Sequence, residues 1–160
     1  MTERLILVRH GEAVPEWEDA AKPLSAKGVL QAKVTGEWLS TLSWRPQEGW
    51  HSGKLRAQQT AEIIAERFNN LPLTAQEGLS PNDEAAVFAD RLWTAPECLL
   101  VVGHLPFLDK LVSLLLTDSD GRRLVRFSPA CAVLLQRAEA SWFLVAAFRP
   151  SLVQEAEAGG

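Results

Sequence analysis

The chain has 160 residues, of which 47% are apolar and 22% charged, with a formal net charge of −4. Those proportions read as one globular domain with a sizeable core. The acidic balance argues against broad nucleic-acid binding, and no apolar run approaches the ~20 residues that span a bilayer. Two isolated cysteines, Cys98 and Cys131, fit a reducing, cytoplasmic setting. His10, His51 and His104 lack the spacing of a dedicated zinc site, so no metal is expected. Glu3 and Arg4 ahead of a very short apolar run do not make a signal peptide.

Leu5-Ile6-Leu7-Val8 is a continuous apolar run bounded by charges, the pattern of a strand buried on both faces of a parallel sheet. Arg9, His10 and Gly11 follow at its carboxyl end, where open α/β sheets bind ligands. For Arg9 and His10 to reach one ligand the chain must leave strand geometry, and Gly11 makes such a bend cheap. Glu12–Leu24 is polar, holds Pro15 and Pro23, and reads as a long loop beside the site. Ser25 is a predicted N-cap for a helix to about Leu42, in which Gly36 would allow close packing on a sheet.

Residues 47–55 are barely apolar, and only their place in the βαβ order predicts a strand there; His51 reads as a surface residue. Arg56 opens a helix to about Phe68, with Ala57, Thr60, Ala61, Ile64 and Phe68 on one stripe. First-turn N–H groups are unpaired, so a helix start carrying an arginine attracts phosphate. Leu71-Pro72-Leu73 reads as a short edge segment, and Ala85–Trp93 as a helix behind loop and capping chemistry at Leu79–Glu84. Cys98–Val102 is the second buried strand, and Gly103-His104 follows it as Arg9-His10 follows the first. Leu105-Pro106 opens a helix with Leu108, Leu111, Val112 and Leu115 inward. Ala132–Leu135 and Phe143–Phe148 can pair as a meander at the sheet edge. The pattern is α/β, one domain over residues 1–150, with Ser151–Gly160 as a disordered tail.

If the two buried strands are neighbours, His10, His104, Arg9 and Arg56 converge on one crevice. Two guanidiniums there offer fork-like donors to a phosphate dianion. Neutral imidazole is a competent nucleophile towards phosphorus. Phosphoryl transfer needs positioning and cancellation of negative charge. With no Gly-x-x-x-x-Gly-Lys loop in the chain, the arginines would supply that cancellation.

Arg9-His10-Gly11 after an apolar strand, then Leu55-Arg56-Ala57-Gln58-Gln59-Thr60-Ala61, then Gly103-His104 after Leu99–Val102, resemble the histidine phosphatase superfamily, which includes the cofactor-dependent phosphoglycerate mutases. The opening Arg9-His10-Gly11-Glu12-Ala13, the helix start Pro23-Leu24-Ser25 and Gly103-His104-Leu105-Pro106 resemble its compact phosphohistidine phosphatase branch, the SixA type. The resemblance covers residues 4–148 in motif order. It implies a three-layer α/β/α sandwich with a mostly parallel central sheet and helices on both faces. It implies His10 as the nucleophile, Arg9 and Arg56 as phosphate clamps, and His104 as a hydrogen-bond donor to the phosphoryl group. It also implies that the reaction needs neither metal nor cofactor. A protonated His104 would add a third positive charge, and His10 should have one ring N–H held by an acceptor such as a backbone carbonyl.

The expected substrate is a phosphorylated protein or a small phosphorylated metabolite, without nucleic-acid or membrane partners. Two departures stand out. Ser52-Gly53 replaces the family's usual Ser-Pro ahead of the second arginine motif, which would loosen the loop that aims Arg56. No general acid is evident among Glu12, Asp83 and Glu84. Two other readings compete: a phosphate-binding regulatory module without catalysis, and a small-molecule phosphomonoesterase or mutase of the same superfamily.

Overall fold

The computed structural model describes residues 1–153. In chain order the elements are β1 (Arg4–Arg9), α1 (Ala26–Ser40), β2 (Glu48–His51), α2 (Leu55–Ala65), β3 (Leu73–Ala75), α3 (Ala85–Arg91), β4 (Cys98–Gly103), α4 (Phe107–Thr117), β5 (Ala132–Ala138) and β6 (Ser141–Phe148). They build one six-stranded sheet in the order β3-β2-β4-β1-β5-β6. The first four of these strands run parallel, and β5 and β6 add an antiparallel meander at one edge.

Side chains along a strand alternate between faces, and the all-apolar strands use both. Leu5, Leu7, Leu99 and Val101 pack against α3 and α4 through Phe88, Phe107, Leu108 and Leu111. Ile6, Val8, Leu100 and Val102 pack against α1 and α2 through Leu39, Ala57, Ala61 and Ile64. Helices therefore cover both faces of the sheet, giving the three layers expected.

Ser25 caps α1, its hydroxyl accepting from the Gly28 N–H at 3.0 Å. Gly36 does its close packing on a helix rather than the sheet: a Cβ there would stand 3.3 Å from Ile64 of α2 and Arg67 just beyond it. The helix expected to reach Phe68 ends at Ala65 and tightens into a 3₁₀ turn, Glu66–Phe68. The weakly apolar segment does supply β2, between β3 and β4. Gly49 lets it approach closely, since a Cβ there would meet Leu73 at 2.6 Å. His51 is buried at 6% exposure, not on the surface, because β2 is an inner strand with His51 paired to Val102 and Ala75. The edge strand β3 lies two residues later than Leu71-Pro72-Leu73. Residues 150–153 take a turn of helix, and the rest of the expected tail lies outside the described residues. No helix among the described residues is long and apolar enough to cross a membrane.

Candidate active site

β1 and β4 pair in parallel with Arg9 opposite Gly103, one residue before a histidine on each strand. The His10 N–H donates to the Gly103 carbonyl at 3.0 Å, extending the ladder to the point where both chains turn away. The two imidazoles thus emerge side by side, ring centroids 5.1 Å apart and tilted by 52°. Arg9, His10 and Arg56 line one cleft of about 390 Å³, together with Glu12, Pro15, Lys22 and Pro129. His104 adjoins His10 but is itself closed off, at 1% exposure.

Each cleft residue is held from several elements. Arg9 Nη1 donates to the Phe127 carbonyl at 2.9 Å, while its buried Nε has no partner. Asp109 in the first turn of α4 is near enough to favour the Arg9 charge, against burial that lowers its pKa. Arg56 stands in the first turn of α2. Thr60, one turn on, donates from Oγ1 to the Arg56 carbonyl at 2.8 Å and accepts from the Gly11 N–H at 3.0 Å. One buried hydroxyl therefore ties the helix that carries Arg56 to the loop that carries His10. Gln59 accepts from the Leu24 N–H at 2.7 Å, and Gln31 of α1 from the Glu12 N–H at 2.9 Å. The loop from 11 to 24 is therefore pinned at both ends.

Gly11 contributes space rather than an unusual bend. A Cβ there would meet the Gly28 carbonyl oxygen at 2.6 Å, and a Cβ on Gly28 would meet the Glu12 carbonyl oxygen at 2.0 Å. These two glycines let the start of α1 lie directly on the loop after β1.

His10 Nδ1 lies 2.7 Å from the Gly11 carbonyl oxygen. That oxygen can only accept, so Nδ1 carries the proton and Nε2 keeps a lone pair. His104 Nε2 lies 2.6 Å from Ser52 Oγ, and its buried Nδ1 is unpartnered. Burial pushes the His10 pKa down to about 4; Arg56, Arg9 and Lys22 push the same way, and the Gly11 carbonyl opposes them. Burial likewise takes His104 down to about 3, reinforced by His10, Arg56, Lys54 and Lys22. Burial and the neighbouring cations therefore work against the third positive charge expected on His104. Arg56, Lys54 and Lys22 all act on the ring, and among the described residues no carboxylate offsets them.

Among the general-acid candidates, Glu12 lines the cleft, with Oε2 accepting from the Ser25 hydroxyl at 2.9 Å. Asp83 caps its own turn by accepting from the Ser80 N–H at 2.8 Å, and faces a separate cavity with Ser52, Glu77 and Ser80. Glu84 precedes α3 without a side-chain capping bond. No local pattern marks Ser52 as a partner of His104, or Phe127 and Pro129 as site neighbours. Lys22 did leave one trace, as a lysine just before Pro23 at the end of the acidic loop. Its φ of 51° is a conformation few side chains adopt. Among the described residues no cluster of three or more His, Cys, Asp or Glu gathers that could hold a metal ion.

Comparison with known proteins agrees with this architecture. The family model for the histidine phosphatase superfamily (branch 1) matches residues 5–83. An uncharacterized protein of Picosynechococcus sp. is 32% identical over 127 residues, covering 75% of this chain and 77% of that one. Phosphohistidine phosphatase SixA of Escherichia coli is 26% identical over 117 residues, 69% of this chain and 72% of SixA. The solved structure of the protein histidine phosphatase SixA complexed with tungstate superposes with a TM-score of 0.82 at 22% identity, covering 94% of this chain and 99% of that one. With the family model, the curated relatives and the superposed six-stranded sheet in agreement, the chain belongs to the histidine phosphatase superfamily, shares the compact plan of its SixA-type members, and is a phosphatase.

Proposed function

We propose that this protein is a phosphohistidine phosphatase of the SixA type, acting on phosphorylated protein with His10 as its nucleophile. The observation that carries the reading is the bond from His10 Nδ1 to the Gly11 carbonyl, 2.7 Å long, which leaves Nε2 unprotonated beside two arginines. The lone pair on Nε2 attacks phosphorus, and the bond from phosphorus to the leaving atom breaks with its electron pair. Where the leaving atom is a ring nitrogen of a phosphohistidine already protonated on its other nitrogen, it departs as neutral imidazole and needs no further proton from a carboxylic acid. Water then attacks phospho-His10, the P–N bond breaks, and inorganic phosphate leaves.

The arginines supply the positive charge. Arg9 is fixed by its bond to Phe127 and has N–H groups to spare, and Arg56 adds the field of a helix start. An arriving dianion also reverses the electrostatics at His104. Its charge favours the imidazolium that burial and the cationic rim disfavour, so His104 would take up a proton as the anion binds. That SixA was captured with tungstate, a tetrahedral oxyanion, supports an oxyanion-binding role for the corresponding cleft here.

The test is trapping. Wild-type enzyme mixed with a radiolabelled phosphohistidine protein in the presence of chelator, then quenched in alkaline detergent, should carry an alkali-stable, acid-labile label. His10→Ala should carry none and should turn over no phosphate donor. Turnover retained by that variant would refute the mechanism.

A further inference from the structure

We propose that the turn around Trp17 is a docking element for a protein substrate, so that the phosphoryl group reaches His10 on a folded polypeptide rather than on a metabolite. This rests on the phosphatase reading and adds to it the surface that selects the substrate.

Five of the six tryptophans have structural work to do. Trp38 stacks on Phe148 at 4.5 Å, and Trp50 meets Phe88 edge-on and lies under Arg91 at 4.9 Å. Arg4 covers Trp44 at 5.6 Å, Arg137 covers Trp93 at 4.0 Å, and Trp142 packs on the core. Trp17 is 86% exposed and meets neither an aromatic ring nor a cation among the described residues. An indole left in water forgoes the largest apolar burial any side chain offers. Folding gives no reason for it.

The place of Trp17 supplies one. It sits at the apex of a tight turn in which the Glu18 and Asp19 N–H groups both donate to the Pro15 carbonyl, at 3.0 and 3.1 Å. The Lys22 N–H donates to the Asp19 carbonyl at 2.9 Å, and Asp19 Oδ1 accepts from the Ala21 N–H at 3.0 Å. Pro15 and Lys22, at the two feet of this turn, line the cleft that holds His10. The indole is thus presented on a hydrogen-bonded turn just outside the phosphate cleft. A small phosphorylated molecule is accommodated within the cleft and has nothing to place against Trp17. A polypeptide surrounding a phosphorylated side chain does, and a rigid aromatic on a preformed turn is the usual anchor of such contacts. Glu16, Glu18 and Asp19 flank the indole, all exposed. The partner surface that fits is an apolar hollow bordered by lysine or arginine.

The experiment compares Trp17→Ala with wild type on two donors: a carrier protein phosphorylated on histidine with phosphoramidate, and p-nitrophenyl phosphate. Trp17→Ala should lose about tenfold or more in kcat/KM on the phosphoprotein, chiefly through KM, as truncated interface anchors do. It should stay within about twofold of wild type on p-nitrophenyl phosphate, and Trp93→Ala should match wild type on both donors. Equal losses on both donors, or no loss on either, would overturn the docking role. So would wild type that cleaves the small donor but not the phosphoprotein. Wild type that cleaves neither would sink the phosphatase reading, and the docking role with it.

Discussion

His10 and His104 end neighbouring strands, yet their rings are held by different kinds of partner. A carbonyl fixes the tautomer of His10. A hydroxyl, which can donate or accept, meets Nε2 of His104, so the state of that ring can change with its ligand. Both are poor bases, at about 4 and about 3, with burial as the leading cause and with Arg56 and Lys22 pushing both rings the same way. The outcome we expect from an NMR pH titration is that neither imidazole inflects near 6.5, the value of a free histidine. Saturating vanadate should move the His104 midpoint upward, since the anion compensates the rim. A midpoint near 6.5 for either ring in the free enzyme would contradict the burial argument. The identities of Arg9, His10, Arg56 and His104 were legible because each stands directly after an apolar strand or opens an amphipathic helix. Their anchors were not. Phe127 is 118 positions from Arg9 and contributes a backbone carbonyl, which carries no mark in the sequence.

The element that departs most from family expectation is the turn between β2 and α2. Gly53 was expected to loosen it where relatives carry proline. Gly53 instead has a φ of 88°, and its N–H donates to His51 Nδ1 at 3.1 Å. Next to it, Ser52 Oγ accepts from the Lys54 N–H at 3.3 Å while meeting His104. This turn is organised around a left-handed glycine and a buried histidine, a combination that proline, with its fixed φ and missing N–H, cannot replace. Gly53→Ala should cost about 1 kcal/mol, the strain of a Cβ at positive φ. Gly53→Pro should cost more, by at least the lost hydrogen bond of about 1 kcal/mol, and should lower kcat because Ser52 and Arg56 move with the turn. Urea unfolding of the three proteins ranks them, and a Gly53→Pro variant as stable as wild type would show the turn is not built this way. The reason β2 was hard to read is the same one that makes it useful. Its four residues include Gly49 for close approach and His51 for the turn, so little apolar pattern remains to announce a strand.

At the scale of the whole molecule, the sheet order converts two distant motifs into one site. Continuous apolar runs gave away β1 and β4, because a strand covered on both faces has no polar side to interrupt it. Their adjacency follows from packing β1 between β4 and β5, a long-range choice that local pattern does not encode. That choice also buries proton-accepting imidazoles, which makes the fold sensitive to acid. The pKa values of His10 and His104 lie below those of the unfolded chain, and that of His51 is lowered by burial too. Between about pH 6.5 and 4 the unfolded chain therefore binds more protons than the folded one, and stability rises with pH. The contribution is complete above about 6.5 and is lost as pH falls through the window, at no more than about 1.4 kcal/mol per pH unit for each imidazole, less what water screens at half-buried His10. Thermal unfolding followed from pH 7 to pH 4 should show the midpoint falling steadily in wild type. In His104→Asn, which keeps the polar volume without the titration, the fall should be shallower even if the starting midpoint is lower. Parallel slopes in the two proteins would mean that carboxylates, not the buried imidazoles, govern the acid limb.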